Sequence, residues 1–100
     1  MNIDQIEAQM RARALNFTGL GALVKFDFGG GDALFINGRS TPPVVGRTGD
    51  APDTTLTISP DNLLKLAEGK LAPTLAFMTG KLKVSGNMGV AMKLANMLED

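Results

Sequence analysis

The side chains that most often carry catalysis are either missing from this sequence or stand without partners. Histidine and cysteine are both absent, which removes the commonest general base, the thiolate nucleophile and the usual zinc ligands. Ser40, Ser59 and Ser85 therefore have no imidazole to activate a hydroxyl for nucleophilic attack. The carboxylates are scattered, without the paired spacing of acid–base catalysis or of a calcium loop. We accordingly expect no enzymatic activity and no metal or cofactor.

Two glycine-containing stretches do not change this expectation. Gly29-Gly30-Gly31 lacks the spacing of a dinucleotide fingerprint, and no glycine-lysine-serine phosphate loop occurs. Gly86-Asn87-Met88-Gly89 precedes a predicted helix, where an anion is sometimes held, but a strand-to-helix turn explains it better. What remains for function is apolar surface.

Composition limits the remaining classes of function. The chain has 100 residues with 10 basic and 10 acidic side chains, so it is expected to form one domain, residues 1–100, without a basic field for nucleic acid. The N-terminal residues lack the basic start and apolar run of a signal peptide, and no apolar run is long enough to span a bilayer. Together with the absence of cysteine, these features lead us to expect a cytoplasmic protein.

Hydrophobic periodicity predicts an α+β domain with helices gathered on one side of a sheet. Ser59 is predicted to cap a helix, with Pro60 at its first position and Asp61 at the positive end of the helix dipole. The basic end of the first helix is expected to be solvated, and contact with anionic lipid is the alternative. In chain order the predicted elements are a helix over 3–15, strands over 23–28, 33–37, 44–45 and 54–58, a helix from 60 to about 68, helical turns over 73–78, a strand over 81–85 and a helix over 88–98.

The predicted closing helix, 88–98, has more apolar surface than packing on one sheet requires. On a helical wheel Gly89, Lys93 and Asn96 fall within a sector of roughly 60°, and the apolar arc is roughly 220° wide. A surface helix of a globular protein usually shows an apolar stripe of about 100° or a little more. We therefore expect a partner, a membrane or an apolar ligand to cover the second part of this arc.

A specific run of residues covers the second half of the chain. It comprises Ser59-Pro60-Asp61-Asn62-Leu63-Leu64, Glu68-Gly69-Lys70-Leu71, Pro73, Ala76-Phe77-Met78, Gly80-Lys81-Leu82-Lys83-Val84 and Gly86-Asn87-Met88-Gly89-Val90-Ala91-Met92-Lys93-Leu94. In order and spacing this run strongly resembles the sterol carrier protein 2 (SCP2-like) family. The resemblance covers about forty residues well, and the earlier segment matches only as a pattern of strands.

The resemblance implies a five-stranded mixed sheet with helices covering one face, around an apolar tunnel that takes sterols, fatty acids or fatty acyl-CoA. One side of helix 88–98 would then pack on the sheet and the other would line the tunnel. For each single residue, plain core packing explains the side chain as well as ligand contact does. The residues expected to face the lipid are Phe26, Phe28, Phe35, Phe77, Met78, Leu82, Val84, Met88, Ala91, Met92, Ala95 and Leu98.

A dry tunnel would be expensive. At roughly 24 cal/mol per Å³, a pocket of about 500 Å³ would cost on the order of 10 kcal/mol, which rivals the whole stability of such a domain. We therefore expect a collapsed, hydrated or lipid-filled layer. The predicted function is a non-catalytic lipid carrier that touches membranes transiently. The alternative is an accessory protein that presents isoprenoid or lipid substrates to a partner enzyme, or that covers the apolar arc by forming a dimer.

Overall fold

A computed structural model describes residues 3–98, which form five helical segments and five strands. The predicted first helix ends earlier than expected, at Ala12 rather than near residue 15, and a separate turn of 3-10 helix follows it. In chain order the elements are α1 Ile3–Ala12, the 3-10 turn Ala14–Phe17, β1 Leu23–Gly29, β2 Asp32–Asn37, β3 Val44–Gly46, β4 Thr54–Ile58, α2 Pro60–Ala67, α3 Pro73–Met78, β5 Leu82–Gly86 and α4 Met88–Leu98.

The strands form one mixed sheet in the order β3-β2-β1-β4-β5. β1 pairs parallel with β4, and all other neighbours are antiparallel. β1 and β2 form a hairpin closed by Gly30 and Gly31, whose positive φ angles of 62° and 87° suit glycine. The prediction of an α+β fold with a five-stranded mixed sheet is confirmed.

The two faces of the sheet have different surroundings. Because side chains alternate along a strand, the register places Val24, Phe26 and Leu56 on one face, with Lys25, Phe35 and other residues on the opposite face. The first face, called here the inner face, is covered by helices: α1 contacts β2 and β3, and α4 contacts β4 and β5. The inner-face strand residues are mostly apolar: Val24, Phe26, Phe28, Leu34, Ile36, Val45, Thr54, Leu56, Ile58, Leu82 and Val84.

Side-chain caps begin α2 and α4, and the predicted cap at Ser59 is confirmed. The Ser59 hydroxyl accepts a hydrogen bond from the Asn62 N–H at 3.2 Å, and Pro60 occupies the first turn of α2. The Asn87 side-chain oxygen accepts a hydrogen bond from the Val90 N–H at 3.0 Å at the start of α4. Each cap satisfies a backbone donor that has no partner within its helix.

Asp53 fixes the junction between β1, β4 and α4. Its Oδ2 accepts a hydrogen bond from the Leu23 N–H at 2.8 Å, and both carboxylate oxygens accept from Arg39 at 2.6 Å. Its backbone carbonyl accepts a hydrogen bond from the Asn87 N–H at 3.1 Å. Gly86 lies against the same peptide with a φ of 107°, so the chain turns tightly from β5 into α4 at this point.

Ionic contacts hold α1 on the β3 side of the sheet. Arg47 pairs with Glu7 at 2.7 Å and also with Asp4. The hydrogen bond that Arg47 donates to the Glu7 carboxylate is the largest of the effects that raise the pKa of Arg47 above its ordinary value. Arg11 pairs with Glu7 at 2.7 Å and donates to the Val45 carbonyl oxygen at 3.2 Å. The basic end of α1 is therefore engaged with the fold.

Candidate functional site

Helix α4 divides its wide apolar arc between the core and the surface. Ala91, Leu94, Ala95 and Leu98 are buried, whereas Met92 is only partly buried. The helix packs against β4 and β5, α2, α3 and the 3-10 turn. The part of the arc that the sheet leaves uncovered is bordered by neighbouring helices, and it is rich in methionine. Such side chains adapt readily to neighbours of varied shape.

Eight of the twelve residues predicted to face lipid lie on the inner face of the sheet or on the covered side of α4, and Phe77, Met78 and Met88 lie on α3 and the first turn of α4. They differ in burial, which separates side chains that form the core of the layer from those at its rim. Phe26, Leu82, Ala91, Ala95 and Leu98 are buried; Phe28, Val84 and Met92 are half-buried; and Phe77, Met78 and Met88 are exposed. The Phe26 and Phe28 rings lie parallel on the inner face, with centroids 6.2 Å apart.

Phe35 does not belong with this group. It pairs with Lys25 across the β1–β2 ladder, so its ring lies on the outer face of the sheet, away from the helices. The Lys25 ammonium stands 5.9 Å from the ring centroid. The loop after β3 packs on the same ring, since a Cβ at Gly49 would lie only 2.7 Å from Cδ2 of Phe35. Phe35 therefore cannot line a cavity between the sheet and the helices, and the strand register is the reason.

The core of the layer is packed with buried apolar side chains. A seam between α1 and α2, bordered by Ile6, Met10 and Leu63, contains a hollow of only about 10 Å³, which is about the least space that one water molecule needs. The apolar stripes of α1 and α2 were visible in the sequence, but their contact with each other was not. A lipid held in this layer would have to displace side chains rather than enter a preformed hollow.

A larger, open basin lies where β1 and β4 end and β5 begins. It has a volume of about 480 Å³ and combines apolar side chains with two lysines and one carboxylate, Asp27. Its lining includes Phe28, Ile58, Asn62, Lys81 and Lys83. A third hollow, of about 150 Å³, lies on the outer face of the sheet beside Phe35. Sequence reasoning missed the basin, because the pairing of β4 with both β1 and β5 is needed to bring these residues together.

The polar groups near the layer have structural roles. The buried Thr54 hydroxyl donates to the Ser85 carbonyl oxygen at 3.2 Å, and the Ser59 hydroxyl caps α2. Within residues 3–98 every buried side-chain nitrogen or oxygen has a hydrogen-bond partner. The same residues contain no cluster of three acidic side chains placed to hold a metal ion, and none of their helices is long and apolar enough to cross a bilayer. The arrangement can bury an apolar molecule by contact.

Comparisons with known proteins agree with this geometry. The model of the SCP-2 sterol transfer family matches residues 3–99. Hydroxysteroid dehydrogenase-like protein 2 of Bos taurus is 37% identical over 81 residues, which cover 77% of this chain and 19% of that protein. Sterol carrier protein 2 of Oryctolagus cuniculus is 42% identical over 78 residues, which cover 74% of this chain and 14% of that protein. The chain thus spans less than a fifth of the length of either relative.

A solved structure shows the same fold. Sterol Carrier Protein 2 from Yarrowia lipolytica, in its apo form, superposes with a TM-score of 0.69 at 27% sequence identity. The match covers 91% of this chain and 77% of that one.

Proposed function

The chain belongs to the SCP-2 sterol transfer family, and from this premise we propose that it is a lipid-binding module that holds one apolar guest by contact alone. The guest is a fatty acid, a fatty acyl-CoA, a sterol or a molecule of similar shape. No bond is made or broken during binding, so the module is a carrier rather than an enzyme. We further propose that it acts in the cytoplasm, because it has no cysteine to cross-link in an oxidising compartment.

The observation that carries this proposal is the surplus apolar surface at one end of the helical layer. Met92 remains half-buried on α4, and Phe77 and Met78 project from the adjacent helix α3. These side chains border a layer that is apolar on both sides, so a guest that enters beside α4 meets hydrocarbon throughout. Each methylene that it buries contributes about 0.8 kcal/mol.

Entry of a guest requires some side chains to move, and α3 is suited to move with them. It has only six residues, and its N-cap, Ala72, makes no side-chain hydrogen bond. Ala76 is its single fully buried residue. An element with few buried contacts opens at low cost in free energy. We propose that a guest is admitted where α3 meets β5 and α4, with Met78 and Met92 adjusting around it.

A second candidate function has a specific observation in its favour. A relative whose name denotes a dehydrogenase-like protein matches this chain over only 19% of its own length. A module of this kind can therefore occur beside a larger protein part. We propose, as the alternative, that this chain presents a lipid to a partner enzyme, whether that enzyme is a separate protein or another part of the same chain.

Lipid binding is tested by two measurements on the purified protein. The first is mass spectrometry of organic extracts, and the second is thermal melting with and without fatty acids of increasing chain length. Binding predicts a co-purifying lipid or a melting temperature that rises with chain length. The carrier proposal fails if no lipid is extracted and no acyl ligand changes the melting temperature. Light scattering shows whether the species that responds to lipid is a monomer or a dimer that covers the apolar arc of α4.

The variant Met92→Arg locates the guest. A guanidinium group beside the guest costs several kcal/mol of desolvation, so fatty-acid affinity should fall by at least about tenfold. Phe35→Arg is the matched control, because Phe35 is also half-buried but lies on the outer face. Equal loss of affinity in both variants would place the guest elsewhere.

A further inference from the structure

We propose that helix α3 docks on the surface of an anionic phospholipid bilayer. The docking surface consists of the exposed apolar side chains Leu75, Phe77 and Met78, which we call the α3 edge, together with the flanking cations Lys81 and Lys83. This inference concerns the membrane with which the protein exchanges lipid, whereas the proposed function concerns the guest inside. It requires no bound guest, so each proposal can fail without the other.

The α3 edge is unusually exposed for its chemistry. Leu75, Phe77 and Met78 are exposed by 53%, 42% and 75% respectively, although they lie within four residues of one short helix. Ala76, in contrast, is completely buried, in a helix that contacts β5 and α4. One small residue therefore faces the protein while three large apolar residues face outward. Clustered apolar side chains at a surface indicate an interaction site, whereas isolated ones do not.

The chain segment around the α3 edge carries charge of one sign, and the basin beside it is lined by two lysines and one aspartate, Asp27. From Lys70 to Leu98 the chain contains four lysines and no acidic residue. Lys70 and Lys93 have partners in the fold, namely Glu68 at 3.7 Å and the Gly19 carbonyl oxygen at 2.7 Å. Lys81 and Lys83 are exposed, and no carboxylate within residues 3–98 forms an ion pair with either of them. These two ammonium groups remain open to an anion.

The basin beside β5 adds room for a headgroup. Lys81 and Lys83 line it and outnumber the one carboxylate there, Asp27, while Phe28 and Ile58 contribute apolar surface to its volume of about 480 Å³. Cations next to apolar surface match the boundary of a bilayer, where phosphate groups lie above acyl chains. The α3 edge follows directly on the chain before this basin, since Met78 is separated from Lys81 by only two residues.

A bilayer fits this surface better than a folded protein does. A stable protein interface buries roughly 800 Å² on each partner, contributed by about 20–30 residues, and a six-residue helix with three apolar side chains supplies far less. A bilayer needs only a few inserted side chains combined with nearby cations. The sign of the charge, the small size and the convex helical shape together favour anionic lipid.

The other basic and apolar region of the surface is less suited to docking. Leu15 is exposed by 72% on the 3-10 turn after α1, close in sequence to Arg11 and Arg13. Those arginines, however, are engaged: Arg11 pairs with Glu7, and Arg13 donates to the Leu98 carbonyl oxygen at 3.2 Å. Leu15 therefore provides a matched control for an exposed leucine that is not expected to contact the bilayer.

The test is co-sedimentation of lipid-stripped protein with two kinds of vesicle, pure phosphatidylcholine and phosphatidylcholine mixed with phosphatidylglycerol. We expect binding to the anionic vesicles that weakens when ionic strength rises, because salt screens the lysines. The double variant Lys81→Gln/Lys83→Gln should lower the partition coefficient by about fivefold per lysine. Leu75→Ser should lower it by at least about fivefold, and Leu75 lies outside the set of residues predicted to contact the guest.

The controls are Leu15→Ser and Lys65→Gln, each an exposed residue of the same type on another element. Both should bind anionic vesicles like the unchanged protein, and circular dichroism should show all variants folded. The proposal is overturned if the unchanged protein does not bind anionic vesicles, or if the Leu75 and lysine variants bind them as strongly as the unchanged protein does. It is also overturned if Leu15→Ser is the only variant that loses binding. The change in the protein's melting temperature on addition of fatty acid, measured without vesicles, reports separately on binding of the guest.

Discussion

Truncation of Leu94 tests both the packing of the helical layer and its use by a guest. Leu94 is completely buried in the middle of α4, on the same face as Ala91 and Leu98. A buried leucine replaced by alanine costs about 3–5 kcal/mol, because the side chain is lost and a void remains. This is a large part of the roughly 5–15 kcal/mol that stabilises a domain. For a chain of 100 residues, Tm should fall by about 4–8 °C per kcal/mol.

The void created by Leu94→Ala should also change lipid binding. If a guest occupies the layer beside α4, its chain can fill the space that Leu94 leaves and recover part of the lost contacts. Fatty acid should then raise the Tm of the variant more than that of the unchanged protein. A ligand at one hundred times its Kd adds about 2.7 kcal/mol to stability, so the shift is measurable by urea unfolding or by calorimetry.

Leu23→Ala is the control, because Leu23 is also buried but faces the outer side of the sheet. It should destabilise the protein without improving its response to fatty acid. The reasoning fails if Leu94→Ala costs less than about 1 kcal/mol, which would mean that α4 is loosely packed. It also fails if fatty acid stabilises Leu23→Ala as much as Leu94→Ala, which would place the guest elsewhere.

Three further substitutions test how the junctions of the fold are held, each by urea unfolding. Gly86→Ala would bring a Cβ to 2.6 Å from the Asp53 carbonyl oxygen at a φ of 107°, and should lower the free energy of unfolding by about 2–4 kcal/mol. Its control is Gly46→Ala, whose Cβ would meet nothing within 4 Å and which should leave stability unchanged. Asp53→Ala removes the carboxylate that accepts from the Leu23 N–H and should cost about 1–3 kcal/mol. Ser59→Ala removes the cap of α2 and should cost about 1 kcal/mol. Unchanged stability in any of these three variants would contradict the contact on which it rests.

Local patterns in the sequence were sufficient to predict most elements of the fold. β4, α3 and α4 have the predicted bounds, because alternating or helical periodicity and a clear cap or breaker mark each end. The predicted first helix was too long, since nothing in the local sequence distinguishes continued α-helix from a 3-10 turn over residues 14–17. The parallel pairing of β1 with β4 is a contact between distant parts of the chain, and no local pattern specifies it.

The candidate site was less predictable than the fold for the same reason. Alternation along β2 separates Phe35 from Leu34 and Ile36, but it does not say which set faces the core. That depends on the register with β1, where Phe35 stands opposite Lys25 and Ile36 opposite Val24. Similarly, the helical wheel of α4 shows how wide its apolar arc is, but not which neighbours cover it.

A packed layer and a carrier function are compatible, because the free energy of a void scales with its volume. The hollow of about 10 Å³ between α1 and α2 costs on the order of 0.2 kcal/mol, whereas an empty pocket of about 500 Å³ would cost on the order of 10 kcal/mol. A carrier that must remain folded between loads is therefore more stable if it closes over its own side chains. In the proposed carrier, methionines and the short helix α3, which has one fully buried residue, would make that closure reversible, since neither is tightly fixed by packing.

Phe77 and Met78 have a part in both proposals, and this overlap has a physical consequence. As neighbours of the guest they would face the layer, and as part of the α3 edge they face outward, where the structure places them. A bilayer against α3 would stabilise the outward arrangement, because it covers the apolar surface that water otherwise contacts. By the reciprocity of linked equilibria, a guest that draws these side chains inward should then weaken binding to anionic vesicles. Loading would thereby favour release of the protein from the membrane, and unloading would favour its return.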